Sequence, residues 1–322
     1  MKWLSAALSA LTFAAVAPAA VGQSYPSRPI HFLMTAPAGS SIDVIGRILA
    51  DKIREPLGQP IVVENRVGAG GTIGTDAAAK AAPDGYTMVL SFNGPLAFGP
   101  FIYRKLPYDP LKDLAPVIVT TSQPNLLAVT SSLPVHNVRE FIAYAKKNPG
   151  KLNYGSVGSG SSSHLTMELM KMEAGLFIVH IPYNGSPPAA SSLAAGDTQA
   201  LFTVPTALTP LMQSGKVRAI AVSGLTRYSL MPDIPTLAES GLPKFEALAW
   251  NGVLFPANTP NAIVERMNHE MNAALKSADV RKKLNDNGLE PVGGTPEDFA
   301  KLMRSEAAKW APVIKRTGAT VD

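Results

Sequence analysis

The 322-residue chain contains no cysteine. That excludes disulfides, thiolate metal sites, cysteine nucleophiles and the lipidated cysteine of a lipoprotein anchor. Charge is also scarce: Asp, Glu, Lys and Arg make up 16% of the residues, below the roughly 25% of an average soluble domain. The basic residues are scattered and form no stripe, so no nucleic-acid partner is expected. The five histidines offer no metal site, because His31, His136, His180 and His269 are isolated and lack ligand spacing. Paired carboxylates and an H-E-x-x-H motif are missing. No serine sits in a G-x-S-x-G frame; Ser41 comes nearest, but Asp43 stands where the second glycine belongs. No cofactor is expected.

What is present is a globular composition, 46% hydrophobic, in a chain long enough for two lobes of ordinary size. Residues 1–22 read as a secretory signal peptide. Lys2 gives a basic start, Leu4–Val16 is apolar, and Ala17–Gly22 offers small-residue cleavage sites after Ala19 or Gly22. The apolar run is short of the ~20 residues of a membrane span. No later segment has 18 consecutive apolar residues, so the mature chain is expected to be soluble and periplasmic, without a lipid anchor. The formal charge is +5, and the mild basic excess suits an acidic small ligand.

Ile30–Thr35 has the pattern of a buried strand, and Asp43–Leu57 that of an amphipathic helix closed by Gly58. Ile61–Glu64, Thr72–Ala82 and Tyr86–Phe92 continue a β-α-β-α-β order, which implies a parallel sheet covered by helices. Pro95–Pro116 reads as a long loop with one helical turn. Alternation resumes from Leu126 to Val222, and Pro260–Ser277, Asp279–Asn287 and Thr295–Arg316 are helical by periodicity. These last helices are expected to return to the first lobe. The expected fold is therefore α/β with two lobes, each a mostly parallel sheet flanked by helices. Lobe 1 comprises residues 23–121 and 246–322, lobe 2 residues 122–245. Two crossings, near 120–126 and 240–252, would form a hinge.

Two Gly/Ser loops carry the candidate site. Each follows a strand and opens a helix, so free backbone N–H groups, hydroxyls and the positive helix end converge on one point that attracts an anion. The first is Pro37-Ala38-Gly39-Ser40-Ser41-Ile42-Asp43, with Asp43 read as a structural first-turn acid. The second runs from Gly155 to His164 and contains Ser156, Gly158, Ser159, Gly160, Ser161 and Ser162. Taken singly, the first loop is equally readable as a plain βα turn, and the second competes with a flexible linker. The second loop is no Walker loop, because Ser161 follows Gly160 where Lys is required. The glycines at 68, 70, 71 and 74 break dinucleotide spacing at Ile73 and read as a tight turn. Tyr183-Asn184-Gly185 offers an aromatic wall or a packed turn. His164 is placed to hydrogen-bond its own loop, and Trp250 to pack the hinge.

These segments, in order, resemble the Bug family of periplasmic receptors, the substrate-binding proteins of tripartite tricarboxylate transporters. The likeness runs from about Tyr25 to Trp310. It rests on Tyr25-Pro26-Ser27-Arg28-Pro29-Ile30, Pro37-Ala38-Gly39, Glu64-Asn65-Arg66, Gly68-Ala69-Gly70-Gly71 and Ala81-Ala82-Pro83-Asp84-Gly85-Tyr86. It continues through Tyr108-Asp109-Pro110, Gly160-Ser161 with His164-Leu165, Pro182-Tyr183, Gly215-Lys216-Val217-Arg218-Ala219 and Pro232-Asp233-Ile234-Pro235-Thr236. The resemblance implies a type II periplasmic-binding-protein-like fold, with two lobes joined by crossing strands. It also implies a carboxylate held by backbone groups and waters from two βα loops, here Pro37–Asp43 and Ser156–His164, and delivery of the ligand to a membrane permease.

The chain departs from the family pattern at Ser40, Ile42, Asn184, Ser192 and Thr203. Acids are common in the family at the last two positions and lysine at Asn184. An ammonium group would need a carboxylate partner, so the expected ligand has carboxylates and no amine and is partly apolar or aromatic. The expectation is a monomeric, non-enzymatic solute-binding receptor. The alternatives are a secreted hydrolase using a loop serine and a ligand sensor for a membrane signalling partner.

Overall fold

The structure is a computed structural model that describes residues 25–205 and 208–320. The expected signal peptide lies outside the described residues. The first segment follows the expected order: β1 (Ile30–Met34), α1 (Ser41–Leu57), β2 (Ile61–Asn65), α2 (Thr72–Ala79) and β3 (Thr87–Phe92). β1 pairs in parallel with both β2 and β3.

Helix α1 shows why the local sequence folds as it does. Ser40 is its N-cap, and Ser40 Oγ accepts a hydrogen bond from the Asp43 N–H. Ile42, Ile45, Leu49 and Ile53 recur at helical spacing and are buried, each contributing roughly 1.5–3 kcal/mol of burial. Gly58, at φ 65°, ends the helix in the left-handed conformation that suits glycine.

The stretch expected to be a loop is more ordered. Gly94–Phe98 forms a π-helical turn that runs directly into α3 (Gly99–Ile102). Leu96, Ala97, Phe98 and Ile102 are buried there. Pro95 and Pro100 hide this in the sequence, since each occupies the first or second position of its short turn, where a missing N–H has no consequence.

β4 (Leu114–Pro124) belongs to the first sheet and β5 (Leu126–Thr130) to the second, so the chain changes lobe at Asn125. The second lobe continues through α4 (Val138–Lys147), β6 (Asn153–Ser156), α5 (Ser162–Ala174), β7 (Val179–Pro182), α6 (Ser186–Ala195), β8 (Ala200–Thr203), α7 (Thr209–Gln213) and β9 (Val217–Val222). β10 (Leu248–Pro256) re-enters the first sheet, followed by α8 (Asn261–Lys276), α9 (Ala278–Asp286), β11 (Pro291–Gly293) and α10 (Pro296–Thr317).

The strand orders are β11-β4-β10-β3-β1-β2 and β7-β6-β8-β5-β9. Parallel pairing holds for β1 with β2 and β3, and for β6 with β7 and β8. The expectation of mostly parallel sheets needs correcting, because β10 runs antiparallel to β3 and β4, and β5 antiparallel to β8 and β9. A strand that leaves one lobe, or returns to it, meets its neighbours head to tail, so each sheet is mixed.

The two crossings are tied together through Ser223, the residue after β9. The Asn125 N–H donates to Ser223 Oγ (2.8 Å), and the Ser223 N–H donates to the Asn125 carbonyl (2.9 Å). Ala247 N–H donates to the Ser223 carbonyl (2.8 Å). One apolar cluster spans the lobes, joining Val89, Phe98 and Trp310 to Leu127, Tyr154, Leu165 and Phe202. Trp250 belongs to the same cluster, edge-on to Phe299, and its Nε1–H donates to Glu306.

Candidate functional site

The strand ends and loops of both sheets meet around a cleft of about 860 Å³ of unfilled space, part of it open to solvent. Of the residues singled out from sequence, Pro37, Ser40, Ser41, Gly158, Ser161, Ser162 and Tyr183 line it. Ala38, Gly39, Asp43, Ser156, Ser159, Gly160 and His164 do not. They build the loops on which the lining residues stand.

In the first loop the Gly39 N–H donates to Asp43 Oδ2, while Arg47 Nε and Asn65 Nδ2 donate to the same carboxylate. Burial pushes the Asp43 pKa upward, but these hydrogen bonds outweigh it and hold the carboxyl below its ordinary range. Asp43 is thus a charged staple that fixes the turn. With the Asp43 N–H taken by Ser40, the amides of Ser41 and Ile42 open the helix where no intrahelical acceptor exists.

The second loop has the same design with a histidine as its staple. Ser161 caps α5, accepting from the His164 N–H (3.3 Å), and its hydroxyl donates to the Gly158 carbonyl (2.6 Å). The Gly160 N–H donates to His164 Nδ1 (3.1 Å). Burial, and then the charge of Lys171, push the His164 pKa down to about 4, so the ring is neutral at pH 7 and free to accept. Its face stacks on His180, with ring centroids 4.0 Å apart, and His180 stacks on Tyr154 at 4.8 Å. Beyond them the Tyr154 hydroxyl and Lys171 Nζ both donate to Glu168 Oε1.

Ser156 Oγ lies 2.7 Å from His180 Nε2, the spacing of a serine–histidine dyad. The environment does not suit that chemistry. Ser156 is fully buried, and burial together with the His164 and Lys171 charges pushes the His180 pKa down to about 3. The same hydroxyl also accepts from the Gly158 N–H, so its role is to hold the loop.

The lobes touch across the mouth of the cleft. A Cβ built on Gly70 in the first lobe would lie 2.9 Å from the Ser159 carbonyl oxygen in the second, and one on Gly185 would lie 3.5 Å from Pro37. Gly70 and Gly71 adopt positive φ angles of 61° and 94°. They form the tight turn that their residue type predicts, and Gly68–Gly71 is also cleft wall.

Sequence reasoning missed the floor. Asn93, Gln123, Asn125 and Asn251 line the cleft from strand ends and the crossings, and Trp250, expected only to pack the hinge, lines it as well. The available signal was the pair of amides Gln123 and Asn125 flanking Pro124 between two apolar runs. Among the described lining residues there is no Asp, Glu, Lys, Arg or His, yet α1, α2, α5 and α6 all begin at this cleft. The charge complement offered to a ligand is therefore the positive ends of helices; the one first-turn acid among them, Asp43 of α1, is paired with Arg47 and lies behind the wall.

Known proteins share this architecture. The receptor family of the tripartite tricarboxylate transporters matches residues 45–319. Protein BugT of Bordetella pertussis is 38% identical over 307 residues, covering 95% of this chain and 94% of that protein. The structure of Rpa4515 from R. palustris with adipate superposes with a TM-score of 0.88 at 37% identity, covering 92% of this chain and 100% of that one. MatC of Rhodopseudomonas palustris, with bound malate, gives 0.85 at 31% identity, over 90% and 100% of the two chains. Together with the two-lobed fold and the paired βα loops, these matches establish that the chain belongs to the tripartite tricarboxylate transporter receptor family.

Proposed function

We propose that the chain is a non-catalytic periplasmic receptor that captures a small organic carboxylate without an ammonium group. The observation that supports this most is the cleft itself: four helix N-termini face a wall with no charged side chain. A carboxylate is stabilised there by amides and helix ends, whereas an ammonium group finds no carboxylate partner. Adipate and malate, the ligands of the two related structures, belong to this class. Ligand is held between residues 37–43 and 156–164. The lobes, which the chain crosses at Asn125 and again between β9 and β10, close on it by rotation at those crossings, and the closed form presents the ligand to a membrane permease of the same transporter type. Residues 1–22 direct export and are removed.

The test is a thermal melt of the mature protein, freed of co-purified ligand by unfolding and refolding, against mono-, di-, tri- and aromatic carboxylates and amino acids. Ligand at about a hundred times its dissociation constant stabilises by roughly 2.7 kcal/mol. A selective rise in midpoint with carboxylates that Gly158→Asp abolishes supports the reading. No rise with any carboxylate refutes it.

A further inference from the structure

Among the described residues that line the cleft, Gln123 alone has buried side-chain polar atoms without a partner. The residue is 1% exposed, and neither Nε2 nor Oε1 makes a hydrogen bond. It sits near the end of β4, paired in register with Ala249 of β10, two residues before the crossing at Asn125. Its amide neighbours differ. Asn93 Nδ2 donates to the Leu248 carbonyl (3.0 Å), and Asn125 Nδ2 donates to Ser162 Oγ (2.8 Å) and Thr166 Oγ1 (3.1 Å). Those two amides hold the hinge region together, whereas the Gln123 carboxamide holds nothing. An orphaned buried donor or acceptor destabilises the fold, and such a cost on a ligand cleft marks a group kept for the ligand.

The chemistry of the orphan restricts what can satisfy it. The carboxamide is a donor at Nε2 and an acceptor at Oε1. A carboxylate satisfies Nε2 and leaves Oε1 facing an anion. A methylene satisfies neither atom. A hydroxyl both donates and accepts, so it answers both, and the helix ends around the cleft, which only donate, cannot take its place. We infer that Gln123 is a specificity-determining residue that reads a hydroxyl on the ligand, so that the preferred ligands are hydroxylated carboxylates over their deoxy counterparts. This rests on the carboxylate-receptor reading above.

The experiment is calorimetric titration of the protein with matched pairs: succinate and malate, glutarate and 2-hydroxyglutarate, adipate and 2- and 3-hydroxyadipate. The expected result is that, in at least one pair, the hydroxylated member binds about tenfold tighter or more, as for a site whose polar groups are otherwise left unpaired. Gln123→Met, which keeps the volume and removes both polar atoms, then brings that ratio near one. Gln123→Leu repeats the measurement in a second background, and the ligand-free melting midpoint of each variant is expected to equal or exceed that of the wild type. Carboxylate binding with no hydroxyl preference in any pair overturns the inference alone, as does a preference that survives in both variants. Absence of any carboxylate binding overturns the receptor reading, and this inference with it.

Discussion

Gly70 separates backbone strain from lobe contact. It lies at φ 61°, and a Cβ there would meet the Ser159 carbonyl across the cleft at 2.9 Å and Tyr103 Oη of its own lobe at 3.2 Å. Gly58 lies at φ 65° with nothing within 4 Å of a built Cβ. An alanine in the left-handed region costs roughly 1–2 kcal/mol at either position, whether the lobes are open or closed. Both Gly58→Ala and Gly70→Ala should therefore lower the ligand-free melting midpoint by a few degrees, at about 2–4 °C per kcal/mol. Only Gly70→Ala also carries a penalty confined to the closed state. If the backbone carbonyl must retreat by a few tenths of an ångström, a cost of about 1.4 kcal/mol weakens ligand binding about tenfold. Gly70→Val, larger and β-branched, should lose more. Calorimetric titration with the best carboxylate from the melt screen reads this directly. Equal dissociation constants for Gly58→Ala, Gly70→Ala and the wild type would refute the claim that ligand is bound with the lobes in this contact.

Other outcomes follow from the same geometry. His164 and His180 are held neutral at about 4 and 3, below their unfolded value near 6.5, so the unfolded chain binds protons first as the solution is acidified. Their contribution to stability is complete above about pH 6.5 and is lost as pH falls through their folded values; melts from pH 7 to pH 3 should show this decline, flattened in His164→Gln and His180→Gln. Ser161→Ala removes the cap of α5 and the tie to Gly158; it should cost about 1 kcal/mol of stability and weaken carboxylate binding, read by melting and titration. Glu306→Leu leaves the indole N–H groups of Trp250 and Trp310 without their shared acceptor; chemical denaturation should show a loss of about 2–4 kcal/mol.

Much of this protein is legible in its sequence, and the illegible parts share a cause. β1, α1, the capping box at Thr295 and Asp298, and both Gly/Ser loops are written locally, as periodicity, capping residues and turn residues. The direction of β10, which makes the first sheet mixed, is written nowhere locally, because it depends on where the chain has been since β4. The three-residue β11 is too short for an alternation to register. The cleft residues divide the same way. Ser40 and Ser161 announce themselves by standing at helix starts. Gln123 and Asn251 are polar residues inside strands, and only the tertiary structure reveals that their buried surroundings are a ligand cleft rather than a core.

The order of strands in the first sheet also sets a timetable. β10 lies between β4 and β3, so that sheet cannot be assembled until residues 248–256 exist, and its core closes only when Trp310 of α10 packs on Phe98. The second sheet, built wholly from β5 to β9, has no such wait. Long-range closure is the slow step in folding. Here it is assigned to the lobe that holds both ends of the described chain, so a chain threaded through a membrane from its N-terminus would carry an unfinished first lobe until its last helix arrived.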